Sequence, residues 1–192
     1  MSSRAQLTDA MAELLWERGY AATSPRDVMS RAGVGQGSMY HHFTGKHQLA
    51  VEALTAVARD MTAAASPLDG DGSPLERMKR YLALPRPGTL GCRVGRMTQD
   101  PQAVTDPELR TVVATAFDTM LDRWEHAITD AVAAGELPAD TDPGDLARTL
   151  AAVIQGGYVL ARARGEQQPM DAAVRGALAL LDAARTAARG EH

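Results

Sequence analysis

The chain of 192 residues carries 20 lysine and arginine residues against 24 aspartate and glutamate residues, a net charge near −4. Its 45% apolar and 23% charged residues are typical of a folded globular protein and exclude general disorder. One cysteine cannot form an internal disulfide or a cysteine-rich zinc site, which favours a reducing cytoplasm. The longest apolar stretches fall far short of the ~20 residues that a membrane span needs. The negative charge argues at first sight against nucleic acid.

Helix-forming residues dominate and strand signals are nearly absent, so the expected class is all-α with about nine helices. A first helix has an apolar stripe that Gly19 would end; the stripe is Leu7, Met11, Leu14 and Leu15. Ser24-Pro25-Arg26-Asp27 is typical of a capping box that opens a short second helix. Gly33-Val34-Gly35 interrupts that helix, and a third short helix follows over about 36–43.

The rest of the chain alternates helices with turn signals. A fourth helix is predicted from Lys46 to about residue 64, and Ser73-Pro74-Leu75-Glu76 opens a fifth. The stretch 85–100 has no clear period and holds at most one short helix. Three long helices follow, one after Asp106-Pro107, one over about 143–165 and one over about 169–187.

Three short helices within about 45 residues, the second and third joined by a glycine-containing turn, are the pattern of a helix-turn-helix. The third helix would place its apolar residues inward and leave its other face free to enter a major groove. That face holds Gln36, Ser38, Tyr40 and His41. All four side chains can hydrogen-bond to phosphates or base edges.

The stretch from Gly33 to Lys46, GVGQGSMYHHFTGK, strongly resembles the DNA-binding signature of the tetracycline-repressor (TetR) family of transcription regulators. The similarity extends upstream through Gly19-Tyr20, Thr23 and Val28-Met29 and covers about residues 5–54. The resemblance implies a bacterial, cytoplasmic protein that lies on the nucleoid when bound. It also implies a helix-turn-helix domain over 1–46 and a domain over 47–192 that binds an effector and dimerises. The helix over 47–64 would act as the lever between them.

The resemblance also implies roles for individual residues. Thr23, Ser24 and Arg26 would meet phosphates at the start of the second helix, and Lys46 would meet one at the start of the fourth. Gln36, Ser38, Tyr40 and His41 would face the groove. Two positions depart from the family pattern: Gly35 replaces a small hydroxyl residue that caps the recognition helix, and Gln36 stands where a basic residue is frequent.

Charge is unevenly divided along the chain. Residues 1–50 hold five basic and four acidic side chains, a net +1, which leaves −5 for the remainder. The acidic excess therefore lies outside the predicted DNA-binding region. A DNA-binding region with a net charge of +1 neutralises few phosphates, so we expect a shallow salt dependence of DNA binding.

The C-terminal region shows no catalytic motif, so neither an enzyme nor a cofactor is expected. His41, His42 and His47 lack the i, i+4 spacing of helical zinc sites, and no metal site is expected. A pocket for a small, mostly apolar effector is predicted instead, with ordinary core packing as the alternative. Its candidate lining residues are Met78, Met97, Phe117, Met120, Trp124, Gln155 and Tyr158.

Two further features concern regulation and assembly. Cys92, in Gly91-Cys92-Arg93-Val94-Gly95, is either a redox sensor beside arginines or a small buried residue. The last two long helices carry apolar stripes and would form a four-helix interface in a homodimer. Gly156-Gly157 would permit a kink beside the ligand or the close approach of another helix at a dimer interface.

These features predict a dimeric regulator, most simply a repressor, that binds a palindromic double-stranded DNA operator. A small effector would release it. Two alternatives remain open: a helix-turn-helix module that binds protein rather than DNA, and a helical enzyme. The sequence does not distinguish repression from activation.

Overall fold

The computed structural model describes residues 2–190, which form eight α-helices, two short 3-10 helices and no strand. The elements are α1 Ser3–Arg18, α2 Pro25–Ala32, α3 Gln36–His42, α4 Lys46–Ala64, η1 Ser66–Asp69, α5 Pro74–Leu82, η2 Gly95–Gln99, α6 Pro107–Ala133, α7 Pro143–Arg164 and α8 Gln168–Gly190. The all-α prediction is confirmed. The irregular stretch 85–100 contains η2 in place of a ninth α-helix.

Local capping fixes where the short helices begin and end. The Ser24 hydroxyl accepts the Asp27 N–H at 3.2 Å, and the Asp27 carboxylate accepts the Ser24 N–H at 2.9 Å, so the predicted capping box is present. Gly33 ends α2 in the left-handed region, at φ +66°. A glycine adopts this conformation without the steric cost that a Cβ would add. The turn between α2 and α3 is thus encoded locally.

Packing divides the chain into two compact units. The first comprises the chain up to Met61 together with Cys92–Ala116, and the second comprises Thr62–Gly91 and the chain from Phe117 onward. This division differs from the predicted boundary at residue 46, because α4 buries Leu49 and Leu54 in the first unit. The functional boundary stays a prediction.

The first unit is built on α1, which packs against α2, α3 and η2. Its largest fully buried side chains are Phe43, Leu7, Met11, Leu14, Met39, Leu49 and Leu54. Arg93, just ahead of η2, stacks its guanidinium 4.4 Å from the ring centroid of Trp16 on α1. Segment 92–116 is therefore part of the same body as the helix-turn-helix.

The second unit is dominated by α7 and α8, which pack along each other. A Cβ at Gly157 would lie 2.6 Å from the Met170 sulfur and 3.2 Å from the Ala173 Cβ, so glycine permits the close approach of α8. Gly156, by contrast, faces open space within this chain. The close approach at Gly157 is thus to α8 of the same chain, and the predicted approach of a partner's helix at a dimer interface stays a prediction. Within residues 2–190 no helix is long and apolar enough to cross a membrane.

Candidate nucleic-acid interface and effector site

Helix α3 has one buried face and one exposed face. Met39 is fully buried, as is Phe43 directly after the helix, which anchors α3 on the core of the first unit. Gln36 and His41 are exposed, and Tyr40 exposes 51% of its surface. Ser38 is half-buried. These four predicted residues therefore lie on one short helix whose other side is fixed by packing, an arrangement suited to reading a groove.

Thr23 is a buried residue of the loop before α2. Only 2% of its surface is exposed, and its hydroxyl donates to the Gly19 carbonyl at 2.7 Å. The Thr23 hydroxyl thus positions this loop, and the predicted phosphate contact of Thr23 stays a prediction.

The Ser24 side chain is exposed but already engaged in the α2 cap. Its hydroxyl donates to the Asp27 carboxylate at 2.6 Å. Hydrogen bonds from Ser24 lower the pKa of Asp27, so this carboxylate stays ionised at the start of α2. A phosphate arriving at Ser24 would meet that negative charge nearby.

Arg26 lies exposed at the start of α2, and its predicted phosphate contact stays a prediction. Arg4 pairs with Glu52, Arg18 lies 3.7 Å from Asp27, and Arg31 pairs with Glu17 at 2.6 Å. Arg26 is exposed and forms no ion pair with any of the described residues. Its charge is thus available to a partner outside the chain.

Lys46 folds back onto the first unit. Its Nζ lies 3.9 Å from the Tyr20 ring centroid, and burial lowers the pKa of Lys46 while the Asp100 carboxylate opposes that shift. A phosphate contact would draw the ammonium off the ring. The predicted contact by Lys46 stays a prediction.

Asp100 is an important residue that the sequence did not reveal. It is buried after η2, and its carboxylate accepts the N–H of Ala21 at 2.9 Å and those of Gln102 and Ala103 at 3.0 Å. Burial alone would raise the pKa of Asp100, but these hydrogen bonds hold it below its usual value. Asp100 therefore fastens the loop before α2 to segment 92–116.

A second contact joins the same segment to α4. The Nε2 of His47 lies 3.0 Å from Asp106, and the Nδ1 of His47 lies 3.7 Å from Glu108. Asp106 also accepts the N–H of Leu109 at 2.9 Å at the start of α6. The first turns of α4 and α6 are thus linked within the first unit.

Cys92 is half-buried, and its sulfur accepts the Gly95 N–H at 3.2 Å. Both interpretations of Cys92, as a redox sensor and as a small buried residue, stay predictions. Throughout residues 2–190, no group of three or more histidine, cysteine, aspartate or glutamate side chains has the arrangement of a metal site.

The predicted pocket residues fall into both units. Met97 is buried in the first unit, whereas Met78, Met120 and Trp124 belong to the buried core of the second. Phe117 and Tyr158 pack against that core, and Gln155 is half-buried on α7. Six of the seven residues therefore share one unit.

Tyr81 on α5 joins this group and was missed from the sequence. Its ring packs edge to face on Trp124, with centroids 5.4 Å apart and an angle of 80°, and its hydroxyl donates to the Met120 sulfur at 3.5 Å. The residue lies one turn after Met78, so the apolar stripe of α5 contained the signal.

A helix-turn-helix with an exposed recognition face, joined to a separate helical unit, defines a DNA-binding regulator. Residues 7–53 match the family model for bacterial regulatory proteins of the tetR family, and residues 75–177 match the tetracyclin repressor-like C-terminal domain. The chain therefore belongs to the TetR family, as its N-terminal signature predicted. It is a transcriptional regulator and not an enzyme.

Named relatives of the chain are also transcriptional regulators. The chain is 29% identical over 168 residues to the transcriptional regulator AcuR of Cereibacter sphaeroides, covering 82% of this chain and 75% of that one. It is 25% identical over 172 residues to the repressor DhaR of a Mycobacterium species, covering 88% and 86%. The crystal structure of a TetR regulatory protein from Rhodobacter sphaeroides is similar with a TM-score of 0.77, at 26% identity over 92% of this chain and 97% of that one.

Proposed function

We propose that the protein is a homodimeric repressor that binds a near-palindromic operator and is released by a small, mostly apolar effector. The observation that carries this proposal is the exposed face of α3, with Gln36, Tyr40 and His41 outward and Met39 buried behind them. The similarity to the repressor DhaR supports repression in preference to activation. DNA as the target supports a cytoplasmic location.

Dimerisation is supported by apolar surface on the last two helices. Val159 and Leu160 on α7 expose more than half of their surface, and Leu180 on α8 exposes 67%. Gly156 and Gly176 have no neighbouring atoms within 4 Å of a Cβ position, which leaves room for a second helix. A two-fold dimer would present two recognition helices, so half-sites should lie about 34 Å apart or a multiple of that distance.

Release requires that the effector favour the conformation that does not bind DNA. An almost complete switch needs a preference of about 5.5 kcal/mol for that conformation. We assign effector binding to the core around Met78, Met120 and Trp124. Helix α4 is the lever in this proposal, because it runs without interruption from Lys46 to Ala64.

Selection of bound duplexes from random DNA by the full-length protein tests the proposal. We expect enrichment of a single near-palindrome whose two halves are contacted symmetrically. Enrichment of no sequence would contradict DNA reading and would favour a protein-binding module. Sequences enriched as isolated half-sites would contradict the dimeric mode.

A further inference from the structure

A hydrogen-bond donor without a partner lies in the core of the second unit. Trp124 is fully buried, and none of the described residues offers an acceptor to its Nε1–H. Buried polar groups almost always find a partner, because leaving one unpaired is costly. Two arginine Nε atoms, of Arg77 and Arg185, share this condition, but their guanidinium groups also make ion pairs through other nitrogens. The indole of Trp124 has a single donor.

A second donor in the same cluster is only weakly engaged. Tyr81 packs edge to face on Trp124, and its hydroxyl donates to the sulfur of Met120 at 3.5 Å. A thioether is a weak acceptor. Two donors thus occupy a core that supplies neither of them with an oxygen acceptor. This pairing of Trp and Tyr suits a ligand that brings an acceptor of its own.

The surroundings indicate that the acceptor is uncharged. The buried hydrophobic side chains of this core carry no charge, and the hydrogen-bond donors among them are the Tyr81 hydroxyl and the Trp124 N–H. Arg86 lies over the Tyr81 ring, with 5.0 Å to the centroid, but its guanidinium donates to the carbonyls of Tyr81, Leu82 and Leu84. Because the Arg86 guanidinium is committed to these carbonyls, an ionised carboxylate beside Tyr81 would gain no free positive charge from it, and burying a carboxylate unpaired is strongly unfavourable.

We propose that Trp124 and Tyr81 form the polar end of the effector site and donate to the oxygen of a neutral carbonyl compound, namely a ketone, aldehyde, ester or amide with an apolar body. Met78 and Met120 would repack around it, because methionine side chains adapt readily to irregular shapes. The carbonyl oxygen accepts the hydrogen bond that the Tyr81 hydroxyl otherwise donates to the Met120 sulfur. The same oxygen also accepts the Trp124 Nε1–H. This inference rests on the proposed function, in which the second unit binds the effector.

Nuclear magnetic resonance of the 15N-labelled full-length protein tests the site directly. The chain has two tryptophans, Trp16 and Trp124, so two indole N–H signals are expected, and Trp124→Phe assigns them. The probes are short-chain and cyclic ketones, aldehydes, methyl esters and amides, each paired with a hydrocarbon of the same shape. We expect a carbonyl probe to move the Trp124 signal downfield and leave that of Trp16 in place. Its hydrocarbon partner should bind about tenfold more weakly.

Two variants separate hydrogen bonding from shape. Tyr81→Phe keeps the ring and Trp124→Phe keeps an aromatic group, and each should lower the affinity for the carbonyl probe about tenfold while changing that for the hydrocarbon little. If no carbonyl probe moves the Trp124 signal, or if hydrocarbons bind equally well, the proposal is wrong. Unchanged carbonyl affinity in Tyr81→Phe would overturn the role of the hydroxyl even if Trp124→Phe does not fold.

Operator DNA distinguishes this proposal from the proposed function. If the protein binds no operator but carbonyl probes shift the Trp124 signal, the carbonyl site is supported and the regulatory role is wrong. If a probe releases the operator without moving the Trp124 signal, the regulatory role is supported and the carbonyl site is wrong.

Discussion

Asp100 accepts the backbone N–H of Ala21 at 2.9 Å, from a position 79 residues further along the chain. The same carboxylate occupies the space beside Gly19, where a Cβ would lie 2.5 Å from its oxygen and where φ is +88°. The loop that leads into α2 is therefore shaped by a residue of segment 92–116. Any displacement of that segment would act directly on this loop.

Replacing Asp100 by Ala should destabilise the first unit. Three backbone N–H groups lose their acceptor, and the expected fall in the free energy of unfolding is about 1–3 kcal/mol. Urea unfolding measures the change, with Asp60→Ala on the exposed side of α4 as the matched loss of one carboxylate. Equal stability of the two variants would contradict the anchoring role of Asp100.

The same carboxylate should contribute to acid sensitivity. The hydrogen bonds of Asp100 hold its folded pKa below the unfolded value, so its stabilisation is present above about pH 4 and is lost as pH falls through the folded pKa. The difference in unfolding free energy between the wild type and Asp100→Asn should be constant from about pH 7 to pH 5 and shrink below about pH 4. A difference that grows on acidification would have the wrong sign.

Arg26→Ala should weaken operator binding and make it less sensitive to salt. One phosphate contact is lost in each subunit, so the slope of log affinity against log salt should become shallower by about 2 for a dimer. Arg31→Ala is the matched control, because Arg31 is already paired with Glu17 and Glu13. Titrations at several salt concentrations compare the two variants. Identical slopes would show that Arg26 does not meet phosphate.

The double change Leu160→Glu and Leu180→Glu should convert the dimer to a monomer. Both side chains are mostly exposed within one chain, and burying two carboxylates per subunit at an apolar interface is costly. Sedimentation at micromolar concentration measures the effect. Ala133→Glu, at an exposed position near the end of α6, should leave the assembly unchanged. A double variant that still sediments as a dimer would exclude this face.

The features predicted correctly from the sequence were those that neighbouring residues determine. The Ser24 and Asp27 cap and the turn at Gly33 depend on contacts within a few positions, and they appear as expected. The role of Asp100 as an anchor could not be predicted, because its partner Ala21 is brought near only by packing. The hydrogen bond of the Thr23 hydroxyl could not be predicted for a related reason. A threonine hydroxyl before a helix suits a phosphate or a carbonyl equally, and only the folded loop shows that it takes the Gly19 carbonyl.

The proposed effector site likewise combines features that local spacing predicts with features that depend on packing. The spacing of Met120 and Trp124 places both on one face of α6, which periodicity reveals. Tyr81 comes from α5, and its contact with Trp124 depends on how two helices pack. The unpaired Trp124 donor, on which the carbonyl inference rests, is likewise a property of the packed core.

Reading of DNA by α3 is tested most directly by measuring how tightly Tyr40→Ala/His41→Ala binds the operator obtained from random DNA. Each lost base contact costs about 1–3 kcal/mol and a dimer loses four of them, so the double variant should bind at least about 1,000-fold more weakly than wild type. Thr55→Ala, on the exposed side of α4, should bind like wild type. If the Tyr40 and His41 double variant binds the operator as tightly as wild type, this face of α3 does not read DNA.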